Sequence, residues 1–327
     1  VPPARFEPSG PLRGRFTPPP DKSISHRAAL FGAMCDEPVL VRNHLDSHDT
    51  RSTIAALLSL GAGIEEGERR PDGTPPELLV RGVGLHGALE ATGGRIDVGN
   101  SGTLLRLLPA WLAGQAGGEW TLDGDASIGR RPVDRVVVPL LRMGAGLEAR
   151  EGRFTPLVVR GAQLSGIEYE LPVASAQVKS CVLIAGMLAS GATTLTEGSQ
   201  SRDHTERILR RARVPLQRAD LTITVAGVDE LELDAVEVPG DPSSAAFLVA
   251  AACLVAGSRV VVEGVGLNWT RTGFLRILQR MGGVVLGDLE QPGTAADEEP
   301  VGELDVASGP LEGTEVGGEE VPLAIDE

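Results

Sequence analysis

Cysteine is scarce in this chain: its 327 residues include three, Cys35, Cys181 and Cys253. Each sits in an apolar stretch without CxxC or Cys/His spacing, which argues against a zinc site or a disulfide framework and reads as buried free thiol. Lysine is scarcer still, with Lys22 and Lys179 the only two among 30 basic residues. A compact, titratable ammonium is not interchangeable with a guanidinium fork, so chemistry singles out those two positions. No stretch reaches the ~20 consecutive apolar residues of a membrane span, and the start VPPARFEPSG lacks the charged-then-apolar order of a signal peptide. Cytoplasmic location and no membrane partner are the expectations. Positive charge is also short: a formal net charge of −15 argues against nucleic acid as a partner, because such binding needs a cationic footprint. The deficit is uneven. Residues 288–327 hold thirteen Asp or Glu and no Lys or Arg, which leaves −2 for residues 1–287, so the body has room for a cationic cleft.

What the chain does have is apolar mass and a repeat. At 42% hydrophobic, 327 residues suffice for one large or two ordinary domains. One pattern recurs: a polar or Gly-containing turn, an Ala/Leu-rich helical run, a β-branched strand, a polar loop, a second amphipathic helix and a closing Gly. It runs through residues 21–61, 100–144, 175–213 and 241–282. In each copy the first helix is apolar over most of its surface and is predicted to be buried, whereas the second has an apolar stripe and a charged face. A polar turn opening a helix, as at Asn100-Ser101-Gly102-Thr103, offers backbone N–H groups at a positive dipole end, which suits an anion and equally suits ordinary capping. After Gly313 the text EVGGEEVPLAIDE reads as the opening of a fifth copy that ends before a helix can form. With no initial Met, this makes a C-terminally truncated chain the expectation.

The turns carry seven strings in order: DKSISHRA at 21–28, GNSGTLLRLL at 99–108, RRPVDRV at 130–136, PVASAQVKS at 172–180, SRDHTER at 201–207, GDPSSAAF at 240–247 and LNWTRTG at 267–273. Together they resemble the 5-enolpyruvylshikimate-3-phosphate synthase family. The resemblance implies an α/β (α+β) fold of two similar domains built from βαβαββ repeats with buried helices. Residues 20–239 would form the first domain, with three repeats. Residues 1–19 and 240–327 would form a second, incomplete one. It also implies a cofactor-free, metal-free monomer whose substrates are shikimate 3-phosphate and phosphoenolpyruvate. Such a reaction gathers two phosphates and two carboxylates, and fixed Arg and Lys groups suit that task.

Matched motif by motif, the resemblance gives Lys22, Ser23 and Arg27 to shikimate 3-phosphate, together with Ser175, Ala176, Gln177 and Arg202. Lys22 would also touch phosphoenolpyruvate and move a proton. Asn100, Gly102, Arg131 and Gln177 would frame and clamp phosphoenolpyruvate, and Asp326 would accept the proton of the 5-hydroxyl. Taken singly, each has a plainer role: Lys22 a solvated turn lysine, Gly102 a tight turn, Arg131 a surface charge like Arg130, Ser175 an N-cap, and Asp326 a frayed acidic tail. Lys179, on a mostly apolar helix, reads as structural. The chain departs from the family pattern at Pro20, where Gly is usual, and at Trp269, where Pro is common. Family residues beyond Glu327 have no counterpart, so the chain alone is expected to be impaired. Two alternatives stand beside this reading: an enolpyruvyl transferase acting on UDP-N-acetylglucosamine, and a non-catalytic anion-binding module.

Overall fold

A computed structural model describes residues 10–68, 77–88 and 93–327. The chain divides into two compact units, one of Pro20–Val238 with Ala295–Glu299, the other of Val1–Pro19, Pro239–Thr294 and Pro300–Glu327.

Among the described residues of the larger unit, three helices lie inside and three follow them. The inner helices are α1 (Lys22–Ala33), α3 (Leu104–Ala113) and α5 (Ala176–Met187); the others are α2 (His48–Ser59), α4 (Asp134–Arg142) and α6 (His204–Arg211). Nine of the ten residues of α3 are buried, as are ten of the twelve in α1 and in α5. A helix apolar on every side is stable only when covered all round, and these three form the centre of one hydrophobic core. Three four-stranded sheets wall them in, alike in order. In the middle one, Arg95–Asp97 lies parallel to Glu119–Asp123, followed by antiparallel Phe154–Arg160 and Gly146–Arg150. The third runs Glu168–Glu170, Ala192–Thr196, Thr222–Ala226, Leu216–Ala219. The first takes its parallel edge strand from the far end of the unit: Ala235–Glu237 pairs with Val39–Arg42, ahead of Leu78–Arg81 and Gly63–Glu66. That strand supplies the missing first β of the first repeat and closes the set.

The smaller unit repeats the plan once. Arg13–Phe16 lies parallel to Arg259–Gly266, which pairs antiparallel with Val301–Ala307 and through it with Val284–Leu286. The helices are α7 (Pro242–Leu254) and α8 (Gly273–Arg280). Among the described residues thirteen buried ones form its core, and α7 leaves Phe247 81% and Leu254 71% exposed.

Two expectations need correction. The segment after Gly313 does form helical structure: a 3-10 turn at Gly318–Glu320 leads into a short helix, Val321–Ala324, with Pro322 in its first turn where a missing N–H costs nothing. The second helix of the third copy does not turn its charges outward, because Glu206 and Arg207 in α6 are buried against Lys179 and Asp203. Trp269 also has a role: its indole N–H donates to the Thr294 carbonyl at 3.1 Å, and its amide to Glu290, which fastens the 287–294 loop.

Candidate active site

Side-chain bonds gather the beginnings of the inner helices at one end of the larger unit. Arg27, one turn into α1, donates from Nε to Thr205 Oγ1 at 2.8 Å and from Nη2 to Ser180 Oγ at 2.8 Å, reaching α6 and α5 together. Its Nη1 returns to the Ser23 carbonyl at 2.9 Å. Gln177, in the first turn of α5, donates to Thr103 Oγ1 at 3.1 Å, where α3 begins. The starts of α1, α3, α5 and α6 therefore share one face, and their dipoles make it favourable to anions.

At the α3 end of that face Asn100, Gly102 and Arg131 come together. Asp125 accepts from the amides of Ser127 and Ile128 and so shapes the 3-10 turn Ile128–Arg130, which delivers Arg131. Arg131 Nη2 donates to Asn100 Oδ1 at 3.1 Å, and Asn100 Nδ2 returns to Asp125 at 2.5 Å. These bonds hold the Asp125 carboxyl below the usual carboxylate range, the Ile128 amide foremost and Asn100 next. Gly102 lies directly beneath the guanidinium: a Cβ there would stand 2.6 Å from Arg131 Nη1. It would also stand 2.9 Å from Nη1 of Arg106, a residue that reading by motif passed over. Arg106 donates to the Gly102 carbonyl at 2.9 Å, and burial first, then Arg131 and Arg135, hold it below the ordinary arginine range. Two guanidinium groups against one glycine, with Arg135 near enough to act on Arg106, make a strongly positive patch. The available signal was spacing, since Arg106 lies four residues after Gly102 and so on the same helical face.

Lys22 stands at the first position of α1, behind the Asp21 cap, with half its side chain in solvent and its ammonium 3.1 Å from Asp49 of α2. Ser175 caps α5 through the Val178 amide, and Ser175, Ala176 and Gln177 are partly exposed there. Arg202 is half-buried in the segment between Ala192–Thr196 and α6. Arg27 differs from a solvent-facing clamp: it is 3% exposed and bonded on three sides.

Asp326 belongs to the smaller unit, where it is exposed just after Val321–Ala324. Beside it, the Glu327 carboxylate accepts from Ser243 Oγ at 2.7 Å and lies 3.5 Å from Arg271, which in turn pairs with Asp241, the cap of α7. All three cysteines are buried free thiols. Among the described residues no group of His, Cys, Asp or Glu is arranged to hold a metal, and no helix is long and apolar enough to cross a membrane.

Residues 6–326 match the sequence profile of EPSP synthase (3-phosphoshikimate 1-carboxyvinyltransferase). The chain is 45% identical to the 3-phosphoshikimate 1-carboxyvinyltransferase of Bacillus velezensis over 97% of its own length and 71% of the relative's. It is 44% identical to that of Alkalilimnicola ehrlichii, over 98% and 70%. The chain thus spans about 70% of the length of the relatives it matches. A solved structure of EPSP synthase from Acinetobacter baumannii superposes with a TM-score of 0.84 at 38% identity, covering 98% of this chain and 70% of that one. The repeat plan, the ordered turn motifs and these alignments agree, and the chain belongs to the EPSP synthase family.

Proposed function

We propose that this chain carries out the family's reaction, transferring the enolpyruvyl group of phosphoenolpyruvate to the 5-hydroxyl of shikimate 3-phosphate with release of phosphate. The observation that carries the proposal is the family match over residues 6–326 together with the cationic face at the helix starts of the larger unit. On this reading Arg131, with Asn100 and Gly102, holds phosphoenolpyruvate, and Arg106 adds a second positive group. A guanidinium pair meets a phosphate or carboxylate with parallel N–H bonds, which fixes orientation as well as affinity. Ser23, Arg27, Ser175, Ala176, Gln177 and Arg202 hold shikimate 3-phosphate. Lys22 serves both ligands and moves a proton, its ammonium steered by Asp49. Asp326 takes the proton of the attacking hydroxyl. The protein is proposed to act as a cytoplasmic monomer without metal or cofactor.

The test is direct. The purified chain, given both substrates, should release inorganic phosphate and form the enol ether, at the impaired rate expected from its sequence. By calorimetry it should bind shikimate 3-phosphate in preference to UDP-N-acetylglucosamine. Equal binding of any polyanion, without turnover, would overturn the proposal in favour of an anion-binding module.

A further inference from the structure

Lys179 is fully buried in α5, yet its ammonium is not spent within the helix. Nζ lies 2.7 Å from Glu197 Oε1, 2.7 Å from Glu206 Oε1, and donates to the Ser201 carbonyl at 3.2 Å. The second oxygen of Glu197 accepts from Ser201 Oγ at 2.5 Å. Ser201 is thereby held through both its carbonyl and its hydroxyl, and each bond ends on the Lys179–Glu197 pair. Next to Lys179, Ser180 Oγ bonds Thr205 Oγ1 at 2.7 Å, which fixes the start of α6 on the other side. Arg202 follows the first anchor directly and lies three residues before the second. A free-standing loop would leave a long arginine to lose its rotamer freedom on binding; a loop bolted at Ser201 and at Thr205 has its backbone fixed in advance.

Burying one ammonium with two carboxylates is an expensive way to stabilise a core, since a well-packed apolar trio serves as well or better. What the trio does that apolar residues cannot do is dictate the path of a polar segment. We infer that Lys179, Glu197 and Ser201 are positioning residues for the proposed reaction, setting Arg202 relative to Ser175–Gln177 so that shikimate 3-phosphate meets a preformed anion site; this rests on the proposed function above. Lys179 and its partners touch no substrate and act through Arg202 alone.

That last clause makes the inference testable by a double-mutant cycle on the whole chain, with shikimate 3-phosphate as the titrant. Ser201→Ala removes one anchor without stranding a charge and should weaken binding about tenfold, the scale of one charge-assisted bond. Lys179→Met should weaken it at least as much, while leaving phosphoenolpyruvate KM near the unsubstituted value. In an Arg202→Ala background neither substitution should weaken binding further, because the residue through which they act is gone. Hydrogen exchange should quicken at residues 198–203 in Ser201→Ala, with the rest of the unit unchanged. If Lys179→Met does not fold, Ser201→Ala decides the matter. Undiminished binding in Ser201→Ala, or losses that add fully to that of Arg202→Ala, would overturn the inference alone. No binding by the unsubstituted, folded chain would overturn the proposed function and the inference with it.

Discussion

A methyl group added at Gly102 would stand 2.6 Å and 2.9 Å from the outermost nitrogens of Arg131 and Arg106. Those atoms end flexible side chains, so the fold has room to give, and the cost falls on where the two guanidinium groups point. Gly102→Ala should therefore leave the thermal midpoint nearly unchanged and raise the KM for phosphoenolpyruvate by roughly tenfold, about 1.4 kcal/mol, with shikimate 3-phosphate binding intact. Steady-state kinetics at saturating shikimate 3-phosphate would show it. Two histidines carry a second prediction. Burial, then the neighbouring Arg27 and Lys22, pushes His26 down to about 3, and burial takes His44 to about 4. Both stay neutral in the fold while the unfolded chain takes up protons near pH 6.5. The unfolded state thus gains as pH falls below that point, and each histidine should withdraw roughly 2 kcal/mol of stability by pH 5. Denaturant titrations between pH 7 and 5 should show this slope, and His44→Gln should make it shallower. At this scale the sequence was legible wherever a motif ties a residue to a turn, as with Asn100, Gly102 and Arg131. It was opaque for Glu206 and Arg207, because Glu206 pairs with Lys179 of α5 and Arg207 with Asp203 and the distant Glu298 carbonyl, and periodicity alone reads a charge in an amphipathic helix as solvent-facing.

Among the elements, the inner helices share a position at which glycine recurs. Gly32, Gly114 and Gly186 each stand ten residues beyond the first residue of α1, α3 and α5, and the corresponding residue of α7 is Ala252. A Cβ at Gly186 would lie 2.6 Å from Val225 Cγ1 and 3.0 Å from Thr193 Cβ, whereas at Gly32 the nearest atom, Val80 Cβ, is 3.2 Å away. Helix propensity favours alanine at both sites by about 1 kcal/mol, so packing decides the sign. Gly186→Ala should destabilise by about 1–3 kcal/mol and Gly32→Ala should be near neutral, a contrast that chemical denaturation resolves. The alternation of helix and strand was readable from hydrophobic pattern, and the buried character of α1, α3 and α5 from their want of a polar face. The pairing of Ala235–Glu237 with Val39–Arg42 was not readable, since three residues so far from their partner carry no local signal. The short helix at Val321–Ala324 escaped for a related reason: four residues are too few to display a period.

For the whole molecule, the two units differ sharply in what they bury. Among the described residues the smaller core holds thirteen and one sheet; the larger encloses three helices behind three sheets. Tryptophan is distributed so that each can be watched: Trp111 and Trp120 are fully buried in the larger unit, and Trp269 lies in the smaller. Urea should unfold the smaller unit first. Trp269→Phe should delete an early fluorescence transition while preserving the later one, and coincident transitions in both proteins would show a single cooperative body instead.

The strand Arg13–Phe16 has its partner at Arg259–Val262, 246 positions further along the chain. A ribosome adding about 5–20 residues per second would leave that strand exposed for roughly 10–50 s before its neighbour exists. An unpaired strand is a template for any other edge it meets. Its sequence suits the wait: Arg13 and Arg15 put charge on the ribbon, Gly14 takes a φ of +133°, and Pro11, Pro18, Pro19 and Pro20 bracket it with residues that cannot donate to a ladder. The first strand among the described residues is thus paired late, and its arginines protect the nascent chain before Arg15 takes up its ion pairs with Glu263 and Glu303.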